Sequence, residues 1–506
     1  MLWSRTPSKE ESAVAKRLRA SSKFFQFLWS VRDELFAHGF EEELIAAYAP
    51  RGQNPCPPAL LAMVMLLQRY EGVSDADAVD LAENDRRWQL VLSCLGCERA
   101  PFGQGSLVRF RMRMIAHNLD KRLVARTVEV AKKSGGFGWQ KLRVALDSAP
   151  LAGAGRVEDT WNLIGRAMAK VVATVSAAVD VDEETIISEA KLSALTADSL
   201  KAALDLDWDD DEAQRIGLNK LLDEVTSLEA WVKRRAKTES SKEPVKGALE
   251  QLRLVVGQDI EPDPDGGGSR ITEGTAKDRV ISLGDPEMRH GRKSRSKRID
   301  GYKRHIVVSN RLVLATAVEP ANAPEHVAAE RLLTAAKQHG EVAVVDVDRG
   351  YLASPAIEAL HRAGVTIHSR AWQPTNNGLF TKEKFEIDLG TNTVRCPNGV
   401  TTTIPPSRQA RFSTDDCGAC VLKSKCTSSA CRSVTIHESE ALLIQLRRRR
   451  RTPEGRRELR KRVVVEHTLA RIVAIQGTRA RYRGRRKNEL DLNRAAAIAN
   501  LMVASR

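Results

Sequence analysis

The period of the apolar residues first changes at Lys141, and this limits the chain to a mixed α/β architecture behind a helical N-terminal part. Before that point, Phe24, Phe25, Phe27, Leu28, Val31 and Leu35 recur at spacings of three and four, which places them on one helical face. Pro57 and Pro58 open an apolar helix over residues 59–70, at the position where a missing N–H costs nothing. Ser74 and Ser106 are the candidate N-caps of two more helices, the second carrying Arg109, Arg111 and Arg113. From Lys141, Leu142-Arg143-Val144-Ala145-Leu146 alternates and ends at Asp147, the pattern of a strand with an acidic tip. A long helical segment is expected over residues 160–256, with Trp161, Ile164, Met168, Val171, Val172 and Val175 on one face. The Pro/Gly/Asp-rich stretch 261–269 closes it as a linker. Strands are then expected at 279–283, 302–309 and 312–318, the last two joined by a turn at Asn310-Arg311. A helix over 325–339, a strand over 342–345, a basic helix over 455–475 and a last helix over 490–503 complete the pattern.

Charge narrows the class of partner. Lys and Arg number 80 against 65 Asp and Glu, a formal charge of +15. The excess is uneven. Residues 180–224 hold 14 acidic and 4 basic side chains, whereas 447–462 hold 10 basic and 2 acidic. Further basic runs lie at 289–298 and 479–487. One such run is as readily a solvated surface, but three on one chain point to a polyanion, nucleic acid above all. The acidic block is then a surface turned away from the polymer, or a mask over it. The longest unbroken apolar run, 59–67, is nine residues, against the ~20 that span a bilayer. No secretory-type stretch occupies residues 1–20. A cytoplasmic protein with no membrane partner is expected.

Three carboxylates stand in settings that suit metal-assisted phosphoryl chemistry. Asp147 ends the first strand, Asp348 follows the apolar strand just before Arg349-Gly350-Tyr351, and Glu466 lies in the basic helix. Two strand-end carboxylates plus one on an adjacent helix hold a pair of hard divalent cations about 4 Å apart, which activate a nucleophile and stabilise the leaving oxygen. Each also has a plain structural alternative. Asp147 suits a turn or cap, Asp346 competes with Asp348 because alternation points both to the same side, and Arg462 stands four residues before Glu466, an ordinary helix ion pair.

Several ordered blocks resemble the RNase H-like DDE transposases of bacterial insertion sequences. Asp147-Ser-Ala-Pro-Leu-Ala-Gly-Ala-Gly-Arg-Val-Glu-Asp159 is similar to the family's first-Asp segment. Asp285-Pro-Glu-Met-Arg-His-Gly-Arg-Lys293 and Gly301-Tyr-Lys303 resemble the middle block of one subgroup, and Asp348-Arg-Gly-Tyr351 its second-Asp block. Arg462-x3-Glu466, followed by Ala480-Arg-Tyr-Arg-Gly484 and Arg486-Lys487-Asn488, resembles the third block. The turn at 72–75 and Phe110-Arg111 look like the helical domain that precedes such cores.

The resemblance implies an RNase H-like mixed-sheet core with an N-terminal helical domain, a helical insertion and a Cys-rich insertion. Its expected boundaries are 1–135 for the DNA-binding domain, 140–160 with 270–375 and 452–506 for the catalytic core, 161–262 for the helical insertion and 390–435 for the Cys-rich one. It implies Asp147, Asp348 and Glu466 as the metal-binding triad for two Mg²⁺, with Mn²⁺ as an alternative. The activity implied is cutting and rejoining DNA at terminal inverted repeats and into target DNA, by a homodimer on DNA associated with the nucleoid. Arg462, Arg471, Arg481, Arg483, Lys487 and Lys303 are the candidate DNA contacts. Related subgroups place a Tyr seven residues before the Glu and a Lys seven after it; here these are Leu459 and Val473, so end contacts fall to residues such as Arg471 and Lys487. The rival readings are a non-catalytic DNA-binding zinc protein and a hydrolysis-only nuclease of the same fold.

Five of the eight cysteines lie between 396 and 431. Cys417-x2-Cys420-x5-Cys426-x4-Cys431, with Cys396 upstream, offers more thiols than the four that tetrahedral Zn²⁺ takes. The expected set is Cys396, Cys417, Cys420 and Cys426, with unligated thiols as the alternative. A zinc-held insertion also accounts for the 117 residues between Asp348 and Glu466, far more than a loop holds. Cys94 and Cys97 have no partner pair and are expected in the core.

Overall fold

The computed structural model describes residues 2–19, 22–49, 55–134, 141–264, 266–292 and 296–506. Part of the basic run 289–298 therefore lies outside the described residues, as do 135–140 at the expected first boundary. The N-terminal part is helical. Its centre is α1 (Pro58–Glu71), with residues 58–69 all buried. Around it pack His38–Ala46, Asp75–Asn84, Arg86–Leu92 and Gln104–Ala116. Lys23–Leu35 reaches it through Phe24 and Phe25 against Tyr70, and α2 (Leu119–Lys133) packs on Lys23–Leu35 and Gln104–Ala116. Ser74 caps Asp75–Asn84 through a reciprocal capping box with Asp77. Gly103, not Ser106, holds the N-cap of Gln104–Ala116, so Ser106 falls inside its first turn.

The alternating run beginning at Lys141 becomes β1 (Lys141–Ala152). It runs five residues past Asp147, because its second half pairs antiparallel with a later strand. The apolar stretch that follows is not one helix. It breaks into a bundle whose principal members are α3 (Thr160–Val179) and α4 (Val245–Asp259), which pack on each other over a core of their own. By length and composition α3 is apolar enough to cross a membrane, yet Leu163, Ile164, Met168, Val171 and Val175 are buried within that bundle. Asp180, in the left-handed region, stops it. The expected linker is instead a short ladder, Ile260–Pro262 against Ser269–Ile271.

The expected strand at 279–283 is absent. Ile281 and Ser282 are fully buried, but Gln258 and Glu158 take their neighbours' backbone groups: the Val280 N–H donates to Gln258 Oε1 and the Leu283 N–H to Glu158 Oε2. Polar side chains thus satisfy buried backbone that a ladder would otherwise serve. The edge strand is β2 (Arg289–Arg292), followed by β3 (Arg298–Ser309) and β4 (Leu312–Pro320). Asn310 and Arg311 both take positive φ, the two-residue turn whose twist matches a hairpin. A 3₁₀ turn at Glu325–Ala328 leads into α5 (Ala329–Lys337), then β5 (Glu341–Val347) and β6 (Thr366–His368).

The sheet order is β2-β3-β1-β5-β6, with β4 also on β3. The β4-β3-β1 side is antiparallel and the β1-β5-β6 side parallel, an RNase H-like mixed α/β sheet. Small ladders between Glu386 and Thr435 build the Cys-rich module, over a core of only six buried residues.

The expected basic helix over 455–475 is two helices, α6 (Pro453–Arg460) and α7 (Val463–Gln476). The Glu458 carbonyl, which a continuous helix would offer to the Arg462 N–H, accepts instead from Lys461 N–H and Arg143 Nη2. The break lets α7 lie across β1. The last helix, α8 (Arg485–Ala504), is buried over nearly its whole length. It packs on α1, α2 and β4, so the N-terminal helices and one face of the sheet share a single apolar cluster. Arg486 pairs with Asp120, and Arg69 with Asp491, across this contact.

Candidate active site

The register of β1 decides what meets Asp147. On one side it stands opposite Ile306 of β3. On the other, parallel pairing ends at Leu146 opposite Val347, so Asp147 and Asp348 are the next residues of two adjacent parallel strands. Asp348 caps the one-turn helix Arg349–Tyr351 through its Oδ1, which accepts the Arg349 N–H at 2.8 Å. Glu466 is contributed by the first turn of α7. Buried Val465, Leu469 and Ile472 press that helix onto the sheet, and buried Arg304 locks its far end, donating to Gln476 Oε1, Pro150 O and Gly477 O at 2.8–2.9 Å.

Arg462 bridges two of the three carboxylates, Asp147 and Glu466. Its Nη2 is 3.0 Å from Asp147 Oδ1 and its Nη1 3.1 Å from Glu466 Oε1. Asp147 is largely buried, with 16% of its side chain exposed, while 54% of Glu466 is open to solvent. Burial raises the Asp147 carboxyl above the ordinary range, Arg462 opposes this, and the negative charges of Asp348 and Glu466 add to the rise. Asp147 thus feels both other carboxylates, and it shares the Arg462 cation with Glu466. Among the described residues, no three Asp, Glu, His or Cys side chains stand close enough to share one metal ion; the guanidinium lies between Asp147 and Glu466.

Asp346, the competitor of Asp348, is committed elsewhere. It is 2% exposed, held bidentately by Arg143 at 2.6 and 2.7 Å and approached by His368 Nδ1 at 3.3 Å. Both its oxygens are engaged by Arg143, whereas Asp348 is only partly buried and uses Oδ1 for its helix cap. Arg143 also binds Glu458, whose carboxyl is lowered to about 2 by Lys461 and Arg143. Sequence reading missed this cluster. The one signal was that Asp346 shares the parity of Asp348.

Beneath Asp147 lies a polar layer that was also missed. Ser148 Oγ donates to Glu325 Oε1 at 2.6 Å, and buried His305 Nδ1 and Tyr351 OH are 2.7 Å apart. The middle and third sequence blocks meet through Asp285, fully buried, which accepts from Tyr302 OH and from the Gly484 N–H at 2.9 Å.

The six candidate DNA contacts scatter. Arg462 is at the carboxylates. Arg471 faces a cavity with Arg311 and Arg506. Arg481 is exposed and donates to Val73 O. Arg483 is exposed beside Gly284, and Lys487 is exposed. Lys303 is half-buried and donates to Ala323 O. Of the cysteines, Cys396, Cys417, Cys420 and Cys426 line one 30 Å³ cavity, while Cys431 is buried against Arg411. No disulfide is formed among the described residues.

A family model described as the transposase DDE domain matches residues 271–501, and one described as a transposase domain (DUF772) matches residues 16–113. The chain belongs to the DDE transposases. Together the two matches take in the N-terminal helices, most of the sheet, Asp348 and Glu466, while Asp147 lies between them. Nothing matches among curated proteins or among solved structures. DDE transposases act on DNA, are nuclease-type enzymes and as a family use divalent metal ions.

Proposed function

We propose that this transposase cuts DNA at the ends of its element and rejoins it to target DNA, with Asp147, Asp348 and Glu466 as the catalytic carboxylates. One observation carries the reading: β1 and β5 set Asp147 beside Asp348, and Arg462 ties Asp147 to Glu466 across the α7–sheet contact. The guanidinium is a stand-in cation, and the donor set around it, all carboxylate oxygen, suits hard Mg²⁺ or Mn²⁺. Two such ions, when bound, supply Lewis-acid activation of water or a 3′-hydroxyl and charge stabilisation at the leaving oxygen. The chain's own residues supply the rest. Asp147 and Asp348 are held rigidly on adjacent strands, Glu466 completes the set from a helix, and Arg462, once displaced, is free to meet the scissile phosphate. The N-terminal helices bind the terminal repeat, paired ends are held by at least a dimer, and the work is done at the nucleoid. Cys396, Cys417, Cys420 and Cys426 hold a structural zinc.

The test is a supercoiled plasmid carrying the DNA that flanks the coding sequence, incubated with Mg²⁺. Wild type nicks it and joins a pre-cleaved end to a second duplex. Glu466→Gln binds the same DNA within about threefold but cuts at least 10³-fold more slowly. Absence of nicking by wild type would establish the non-catalytic reading, and nicking without joined product the hydrolysis-only one.

A further inference from the structure

α7 presents different side chains on its two flanks. Arg462 and Glu466, four apart, face the carboxylate centre, whereas Val464 and Arg471, seven apart, line a cavity on another side, with Arg471 rotated about 140° from Glu466. This cavity, 530 Å³, shares Arg143 with a neighbouring one of 410 Å³. That one shares Arg450 and Leu459 with a third of 670 Å³. The three lie in series along α6 and α7, each sharing lining residues with the next, and together make one interrupted trench.

Its charge is unbalanced. Among the described residues, Arg311, Arg449, Arg450, Arg460, Arg471 and Arg506 all line it, and none has a carboxylate ion-pair partner. Three carboxylates line it: Asp346 is engaged by Arg143 and Glu458 by Arg143 and Lys461, which leaves Glu454 against the six arginines. Arg471 Nη1 is buried with no hydrogen-bond partner, and the guanidinium's pKa is lowered by burial and by the charges of Arg506 and Arg311. Like charges crowded into a concave surface repel one another, and an anion would relieve this. Among the described residues, no Phe, Tyr or Trp lines any of the three cavities, so the stacking platforms by which single strands are held are missing there.

We infer that this trench is a track for the sugar-phosphate backbone of duplex DNA, separate from the carboxylate centre and on another flank of α7. The inference rests on the transposase reading and deepens it: strand transfer needs two DNA segments held at once, and the trench holds the one that is not being cut by the triad. Only phosphates are touched, so binding is independent of sequence and sensitive to salt.

The experiment measures affinity for a fluorescent 30-base-pair duplex of arbitrary sequence against salt, for wild type and for Arg311→Gln/Arg471→Gln/Arg506→Gln. The track predicts binding at least tenfold weaker at low salt, and a log–log slope shallower by about 0.9 for each phosphate that is no longer neutralised. In wild type, the duplex also shields these three arginines from phenylglyoxal, read by mass spectrometry, which needs no variant to fold. Unchanged slope with no shielding overturns the proposal, as does equal competition by a single strand of the same length. Plasmid nicking is scored in parallel. Nicking with an unaltered slope overturns the track and leaves the carboxylate reading standing; an altered slope without nicking does the reverse.

Discussion

Arg462 is the residue on which the site turns. A guanidinium that pairs with two carboxylates of the proposed divalent-ion site would compete with the ion for the same negative charge. Arg462→Gln therefore binds Mn²⁺ about tenfold more tightly than wild type in the absence of DNA, about 1.4 kcal/mol, as read by the electron paramagnetic resonance of free Mn²⁺. Equal affinities would show that the pairing is incidental. His305 gives a second prediction from burial alone. Desolvation, with Lys303 and Arg331 adding positive charge, pushes its pKa from 6.5 down to about 3. The folded protein keeps the ring neutral while the unfolded chain takes up a proton below pH 6.5, so this stability is complete above 6.5 and is lost as pH falls toward 3. The slope is about 1.4 kcal/mol per pH unit. Urea midpoints between pH 6.5 and 5 should fall further in wild type than in His305→Gln, by about 2 kcal/mol. At this scale the sequence offered the acidic side chains but not their partners. That Asp346 is committed to Arg143 was not legible, because Arg143 lies 203 positions away from the carboxylate it binds.

Elements were legible where one face is buried and the backbone pairs locally. β1, the β3–β4 hairpin and α1 followed from period and turn residues. The failures share a cause, namely backbone groups claimed by distant side chains. Gln258 and Glu158 replace a ladder at 279–283, and Arg143 takes the carbonyl whose loss breaks α6 from α7. The Cys-rich module is a case where the element is too small for its own core. Six buried apolar residues cannot hold five short strands without a staple. Four thiols line one cavity there without standing close enough to share an ion, and the proposed zinc would be the staple that draws them together. Purified protein should carry about one zinc per chain by elemental analysis, and Cys417→Ser/Cys420→Ser should carry none and be cut by protease within 386–435. A zinc-free wild type with an equally resistant module would show that packing alone suffices.

For the whole molecule, the order of blocks along the chain was readable, but their mutual packing was not. The N-terminal helices close over α8, the last helix of the chain, through Arg69–Asp491 and Arg486–Asp120. That contact joins residues more than 360 positions apart, and nothing in local periodicity reports it. Other long-range contacts, the parallel β1–β5 ladder and α7 across β1, bring Asp147, Asp348 and Glu466 toward one place, and the proposed activity depends on them. Substituting Fe²⁺ for Mg²⁺ and adding ascorbate and peroxide generates radicals that cut the backbone beside a bound ion. The cuts should fall in three zones, within a few residues of Asp147, Asp348 and Glu466, and should disappear with excess Mg²⁺. Cutting at one of these segments alone, or at none of them, would contradict the convergence of the three carboxylates.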